Sequence, residues 1–357
     1  MRRKAFAAAI GLAFGFVGVA HATEYTLTTW GAGEQDYPSA WNASGQIVGT
    51  EREGGNQPVV WTVNVNFGGH FLPVPAPYFT GEANGINASG QSVGTVWTAY
   101  GESSDAIRWS SSEQPTILAG LGGSFNVANA ISDSGQVIGY AKTPGDAAQD
   151  AVIWSSIGKI SILKGLGGTQ SSANAINASG EIVGSSTTAG SATQEAVRWS
   201  SSGVPTILGT GVAVAINASG EIAGNSGGDA VVWSPTGRKT VLGSGQAIGI
   251  NASGQVLGVT SQGAVVWDSS GRATVLSPFL DGMPGIFDET EPVPALINDD
   301  GDILGSSFFP GVTGGPGNAT NFWLLTPVAA PVPEPATILL IAVALSVCWG
   351  TRVWRRS

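Results

Sequence analysis

Cysteine is nearly missing from this 357-residue chain: its one thiol, Cys348, lies close to the C-terminus. The rest of the chain therefore has no disulfide framework and no cysteine–zinc site. Histidine is equally scarce, with His21 in an apolar N-terminal segment and His70 beyond it. A histidine metal centre or a Ser-His-Asp triad would rest on His70 alone, so neither is supported. Charge is thin at 11 %, and basic residues are the rarer kind. Between residues 23 and 331, 24 acidic residues face nine basic ones, a net charge near −15. Nucleic-acid affinity rests on Lys and Arg neutralising phosphates, so that class of partner is disfavoured. The balance favours solubility and leaves room for cations.

Long apolar runs are confined to the two ends. Arg2, Arg3 and Lys4 precede an apolar run over residues 5–19, and Ala20-His21-Ala22 follows. A basic start, a short apolar stretch and a small-x-small site read as a secretory signal over residues 1–22, cut after Ala22. As a membrane anchor the run is short. At the other end, Val332-Pro333-Glu334-Pro335 leads into the apolar run 336–351, and Arg352, Arg355 and Arg356 close the chain. That run is just under the usual span of about 17–25 residues. A plain C-terminal anchor would keep the arginines cytoplasmic. Both ends place the intervening core, residues 23–327, outside the cytoplasm, with a tail over 328–357.

The core is built on one phrase, met seven times. It reads WNASGQIVG at 41–49, INASGQSVG at 86–94, ISDSGQVIG at 131–139 and INASGEIVG at 176–184. It returns as INASGEIAG at 216–224, INASGQVLG at 250–258 and INDDGDILG at 297–305. The middle glycines are Gly45, Gly90, Gly135, Gly180, Gly220, Gly254 and Gly301, spaced by 45, 45, 45, 40, 34 and 47 residues. Periods of this size mark repeat architectures, in which each unit buries its apolar surface against the next.

One unit reads as four short strands. Residues 172–177 form the first, Asn177-Ala178-Ser179-Gly180 a tight turn, and 181–185 the returning strand. Asn suits that turn through its side chain, and Gly through a positive φ. Residues 196–199, ending in Trp199, make the third strand and 205–208 the fourth. The third-strand tryptophans recur as Trp61, Trp109, Trp154, Trp199, Trp233, Trp267 and Trp323. Fourth strands recur at 115–118, 160–163, 205–208, 239–242 and 273–276, with a weaker copy at 72–75. None follows Trp323. The missing strand is found at the start of the core, at 25–29. The expectation is an all-β chain: a seven-bladed β-propeller closed by its N-terminal strand. An open solenoid is the alternative, though its ends need not complement each other.

Two resemblances rest on these motifs. The order Pro-Glu-Pro, apolar segment and basic end resembles the PEP-CTERM sorting signal of Gram-negative bacteria. That resemblance implies an exosortase-type protease as partner, export to the cell surface or matrix, and a link to exopolysaccharide and biofilm. The combination G-L-G-G, A-x-A-I-N-x-S-G-x-x-x-G and A-x-x-W resembles the HAF family of extracellular repeats over most of residues 25–324. It implies a secreted propeller-like domain and no particular reaction.

Candidate chemistry is sparse. The linker between the sixth and seventh phrases carries Asp281, Asp288, Glu289 and Glu291, hard ligands of the kind calcium takes. Paired carboxylates there would also suit a glycosidase. The plainer reading is an acidic solvated loop. Residues 298–302 (NDDGD) look like a calcium loop but align with the N-A-S-G turns. Five of those turns match the glycosylation pattern, at Asn42, Asn87, Asn177, Asn217 and Asn251, and Asn318 adds a sixth match. Their equivalent places say turn chemistry instead. Trp30, Trp41 and Trp97 stand off the third-strand positions; such aromatics either join a core or cover sugar faces. The leading expectation is an exported, non-catalytic binding or structural protein with no catalytic residues and no cofactor, calcium excepted. Its partners would be exopolysaccharide or an envelope protein. The alternative is a secreted glycoside hydrolase or lyase using carboxylates on one propeller face.

Overall fold

The computed structural model describes residues 25–31, 36–52, 55–62, 69–190, 193–280, 295–309 and 319–328. The signal with Ala20 and Ala22, the carboxylates Asp281, Asp288, Glu289 and Glu291, and the sorting residues from Val332 to Arg356 lie outside the described residues. Every described strand belongs to the unit Tyr25–Pro327. Among the described residues, no helix is long and apolar enough to cross a membrane.

The fold is all-β and propeller-like, a series of antiparallel four-stranded meanders. The fourth repeat shows the plan with strands Gly167–Ile176, Ile182–Thr188, Gln194–Trp199 and Pro205–Thr210, each pairing with the next. Its sheet joins that of the third repeat through one parallel pairing, Gln149 with Gln170. The second strand is buried from Ile182 through Ser186, on both of its faces. That explains why the phrase I-V-G-S-S is small or apolar at every position instead of alternating with charged residues. Neighbouring repeats cover both faces. Ile138 and Ala151 of the third repeat pack with Ile182, Val197 and Trp199 of the fourth.

Opposite Gly184 the first strand slips register between Ala173 and Ala175. A Cβ on Gly184 would overlap the carbonyl oxygen of Ser172, so the bulge demands glycine. The same overlap recurs at Gly94 with Glu82 and at Gly139 with Val127.

The N-A-S-G turn has two jobs. Asn177 Oδ1 accepts the N–H groups of Ser179 (3.1 Å) and Glu181 (3.0 Å), and Gly180 sits at φ +80°. Asn177 Nδ2 then donates to the carbonyl of Asn217 in the next repeat, at 3.2 Å. Asn42 reaches Asn87, Asn87 reaches Ser132, Asn217 reaches Asn251 and Asn251 reaches Asn298 in the same way. The five sequon asparagines are buried and committed to these bonds. The third-strand tryptophans add a second tie. Trp199 Nε1 donates to Lys164 O of the preceding repeat (2.9 Å), and Trp109, Trp154 and Trp233 do likewise with Pro73, Ala119 and Leu208.

The first repeat has strands Asp36–Trp41, Gln46–Glu51, Gln57–Thr62 and His70–Phe71. Its fourth strand thus falls before the expected 72–75, where Pro73 and Pro75 lack an N–H for the ladder. The seventh contributes Ala295–Ile297, Ile303–Phe309 and Ala319–Pro327, and Tyr25–Gly31 pairs with the last of these, from Tyr25 opposite Pro327 to Gly31 opposite Asn321. First strands touch first strands from repeat to repeat, and Asp36–Trp41 touches Ala295–Ile297. Ile47, Val59 and Trp61 pack with Leu304 and Phe322, the Trp61 and Phe322 rings meeting edge-on at 5.2 Å.

Candidate functional site

Two departures from the repeated phrase meet across the seam between the first and seventh repeats. Where the other copies have isoleucine, the first has Trp41. Where most have Asn-Ala-Ser-Gly-Gln/Glu, the seventh has Asn298-Asp299-Asp300-Gly301-Asp302. Trp41, Asp299, Asp300 and Asp302 line one cleft of about 530 Å³, with Ile297 and Leu324 supplying apolar wall. No basic residue lines it.

The acidic turn keeps the backbone of its relatives. Asn298 Oδ1 accepts the N–H groups of Asp300 (3.1 Å) and Asp302 (2.8 Å), and Gly301 has φ +84°. It is the repeat's turn with acidic side chains. Asp299 Oδ1 accepts the Ala252 N–H of the sixth repeat at 2.8 Å, as Asp133 does for Ala88. Asn298 Nδ2 donates to Asp302 Oδ2 at 3.1 Å. Among the described residues, no amide bond runs on from Asn298 to Asn42. The cleft lies where that tie is missing, and Asp300 projects into solvent.

Such a cleft offers carboxylate acceptors beside Trp41, which is half-buried and packs in part on the Trp61 and Phe322 cluster. That pairing suits polyols, whose hydroxyls donate to carboxylates while their C–H faces cover an aromatic ring. It disfavours anions. Among the described residues no three His, Cys, Asp or Glu side chains gather as a metal site.

Other titratable groups are held in structural bonds. Asp105 accepts from the Tyr78 hydroxyl at 2.5 Å and from Asn126 Nδ2 at 2.8 Å. Burial first, then the bond to Asp105 and its charge, push the Tyr78 phenol up to about 12. Because the folded chain favours the neutral phenol, this stabilisation is complete below pH 10 and is lost as pH rises toward 12. Urea midpoints should therefore fall across that window, and Tyr78→Phe should flatten the decline. An unchanged slope in Tyr78→Phe would assign the decline to other groups. Burial raises the Glu82 carboxyl and nearby Arg52 lowers it in part; its Oε1 accepts from Asn56 Nδ2 at 2.9 Å, an amide partner. His70 Nε2 meets Glu113 Oε1 at 2.5 Å in an exposed pair.

Trp97 ends the strand Ser92–Trp97, half-buried and away from the cleft. The backbone of Trp30, in the strand Tyr25–Gly31, pairs with that of Phe322. The convergence of Trp41 with the acidic turn was not visible in the sequence, although both departures from the phrase were.

The sequence matches no known protein family and no curated protein. Solved structures resemble it in fold. A puromycin hydrolase aligns with TM-score 0.51 and 14 % identity over 78 % of this chain. The chain spans only 50 % of that protein's length. A gluconolactonase from Xanthomonas campestris aligns with TM-score 0.46 and 15 % identity, over 87 % of this chain and 96 % of that one. The β-propeller domain of the trilobed protease from Pyrococcus furiosus aligns with TM-score 0.46 and 9 % identity, over 77 % and 90 %. At these identities the likeness concerns fold and carries no activity with it.

Proposed function

We propose that this chain is an exported, non-catalytic propeller of the cell surface or matrix that binds carbohydrate in its seam cleft. The observation that carries this reading is the meeting of Trp41 with Asp300 and Asp302 in one cavity. Neutral exopolysaccharide is the ligand class that fits, since the cleft is lined by carboxylate acceptors and Trp41 and by no basic residue. The scaffold is read as seven blades closed by Tyr25–Gly31. The pairing of that strand with Ala319–Pro327 and the packing of the first repeat on the seventh support closure. Export rests on the secretory-type N-terminus and the Pro-Glu-Pro tail, which an exosortase-type protease would process.

The test mixes the full chain with exopolysaccharide from the producing cells and follows co-sedimentation and new reducing ends together. Binding without release is expected. Trp41→Ile, which restores the residue of the other repeats, should weaken binding about tenfold or more, as loss of a central Trp anchor does. Release of ends by the wild-type chain would overturn the reading in favour of a glycoside hydrolase or lyase. Undiminished binding by Trp41→Ile would remove the cleft from it.

A further inference from the structure

We propose that the outer hairpins of the third, fourth and fifth repeats form a docking edge for an anionic lipid bilayer. This edge is separate from the seam cleft and does not depend on it. Its first component is charge. Residues 155–164, 198–208 and 232–243 contain Lys159, Lys164, Arg198, Arg238 and Lys239 and no acidic residue. The other four basic residues share the rest of the core with all 24 acidic ones. The hairpin of the second repeat carries Glu113 and that of the sixth Asp268, so the basic stretch is bounded. Lys159, Lys164, Arg238 and Lys239 are exposed, and none forms an ion pair among the described residues.

The second component is apolar. Ile157 stands at the tip of its turn with 87 % of its surface exposed. Ile162, Ile207 and Val241 are 54 %, 54 % and 56 % exposed. They hold one register, opposite Val152, Val197 and Val231 of the adjoining third strands. Single exposed aliphatics are ordinary. A row of them interleaved with lysines free of ion pairs, Lys239 bonding only the Ser226 hydroxyl, is the pattern of a surface that rests on headgroups and dips into acyl chains.

The three hairpins are joined. The Lys164 N–H donates to Gly203 O at 3.3 Å, and Arg198 Nη1 donates to Pro235 O at 2.7 Å. The edge therefore meets a partner as one rigid piece. Charge complementarity selects an anionic partner, and the protruding aliphatics select a bilayer over a hydrated acidic polysaccharide. The strong negative charge elsewhere would repel such a bilayer, so this edge also fixes orientation.

The test uses the full chain with Cys348→Ser and one new thiol, Ser156→Cys, carrying an environment-sensitive fluorophore. A matched chain carries the label at Tyr100→Cys, fully exposed at the other end of the strands. Any insertion of the tail affects both equally. Vesicles of phosphatidylcholine with about 30 % phosphatidylglycerol should brighten and blue-shift the label at 156 and leave that at 100 unchanged. The response should fade between about 50 and 500 mM salt, as screening of this edge requires. Combining Lys159→Glu, Lys164→Glu, Arg238→Glu and Lys239→Glu should cut the apparent partition at least about tenfold. The salt series decides the matter should that variant misfold. A label at 156 that ignores the vesicles, or brightens equally on pure phosphatidylcholine, overturns the proposal. A label that answers alginate but not vesicles replaces the bilayer with an acidic polysaccharide.

Discussion

A chain starting at Ala32, without Tyr25–Gly31, is expected to lose cooperative unfolding and to aggregate, whereas one starting at Thr23 keeps both its solubility and its transition. The strand at stake pairs along its whole length with Ala319–Pro327. Without it, Ala319–Pro327 becomes an open edge next to fully buried Trp323 and Leu325. A long unpaired edge over an apolar layer recruits other chains. Tyr25 also meets Phe279 edge-on at 5.2 Å and packs on the cluster of Leu257, Leu276 and Ile303. Seven residues of pairing make about seven hydrogen bonds at about 1 kcal/mol net each; the lost apolar cover adds to this and the backbone entropy of an ordered strand offsets part, leaving roughly 5 kcal/mol. That is a large part of the stability of an ordinary domain. Calorimetry on both chains checks it. Adding the peptide YTLTTWG in trans should restore part of the transition, which a merely misfolded truncation would not allow. An Ala32 chain that melts like the longer one would mean that the seventh meander needs no fourth strand.

That strand was legible beforehand because the count of fourth strands fell one short after Trp323 and one stood unused near the N-terminus. The turns were legible too, since Asn and Gly occupy fixed places in a tight turn for local reasons. What escaped was everything that depends on the neighbouring repeat. Gly184 could be seen to recur, but the bulge at Ala173–Ala175 that excludes a side chain lies in the partner strand. Asn177 could be read as a cap through Oδ1; the reach of its Nδ2 to Asn217 depends on how two repeats stack. The cleft is the extreme case. Trp41 and Asp300 were both visible as exceptions, yet only the packing of the first repeat on the seventh brings them together.

The second large effect concerns the amide ties between repeats, and the chain carries its own control. Asn217 is 5 % exposed. Its Oδ1 accepts the Glu221 N–H at 2.9 Å, and its Nδ2 donates to Glu221 Oε2 at 2.9 Å and Asn251 O at 3.1 Å. Asn217→Ala leaves the part-buried Glu221 N–H without its acceptor and removes one of the two bonds to Asn251 O, which still accepts the Gly254 N–H. At about 1–3 kcal/mol for the orphaned N–H and about 1 kcal/mol for the lost tie, the expected loss is about 2–4 kcal/mol. The third repeat shows what a smaller polar residue keeps. There Ser132 Oγ still accepts the Gln136 N–H at 3.2 Å, but no amide extends to Asn177 in the fourth repeat. Asn217→Ser should therefore preserve the turn and lose only the tie, about 1 kcal/mol. The reverse change is the sharper test. Ser132→Asn supplies the missing amide at the third seam and should raise stability by about 0.5–1.5 kcal/mol, read as a higher urea midpoint at unchanged slope. If Ser132→Asn is neutral or harmful while Asn217→Ala is costly, the asparagines act within their own turns. In that case the seams rest on apolar packing, the tryptophan bonds and the other bonds between repeats, such as those from Asn129 to Ala173 O and from Arg198 to Pro235 O. If both changes move as stated, neighbouring repeats are coupled through the turn amides, and the two seams that lack that tie, after Ser132 and after Asn298, are where the repeats separate first.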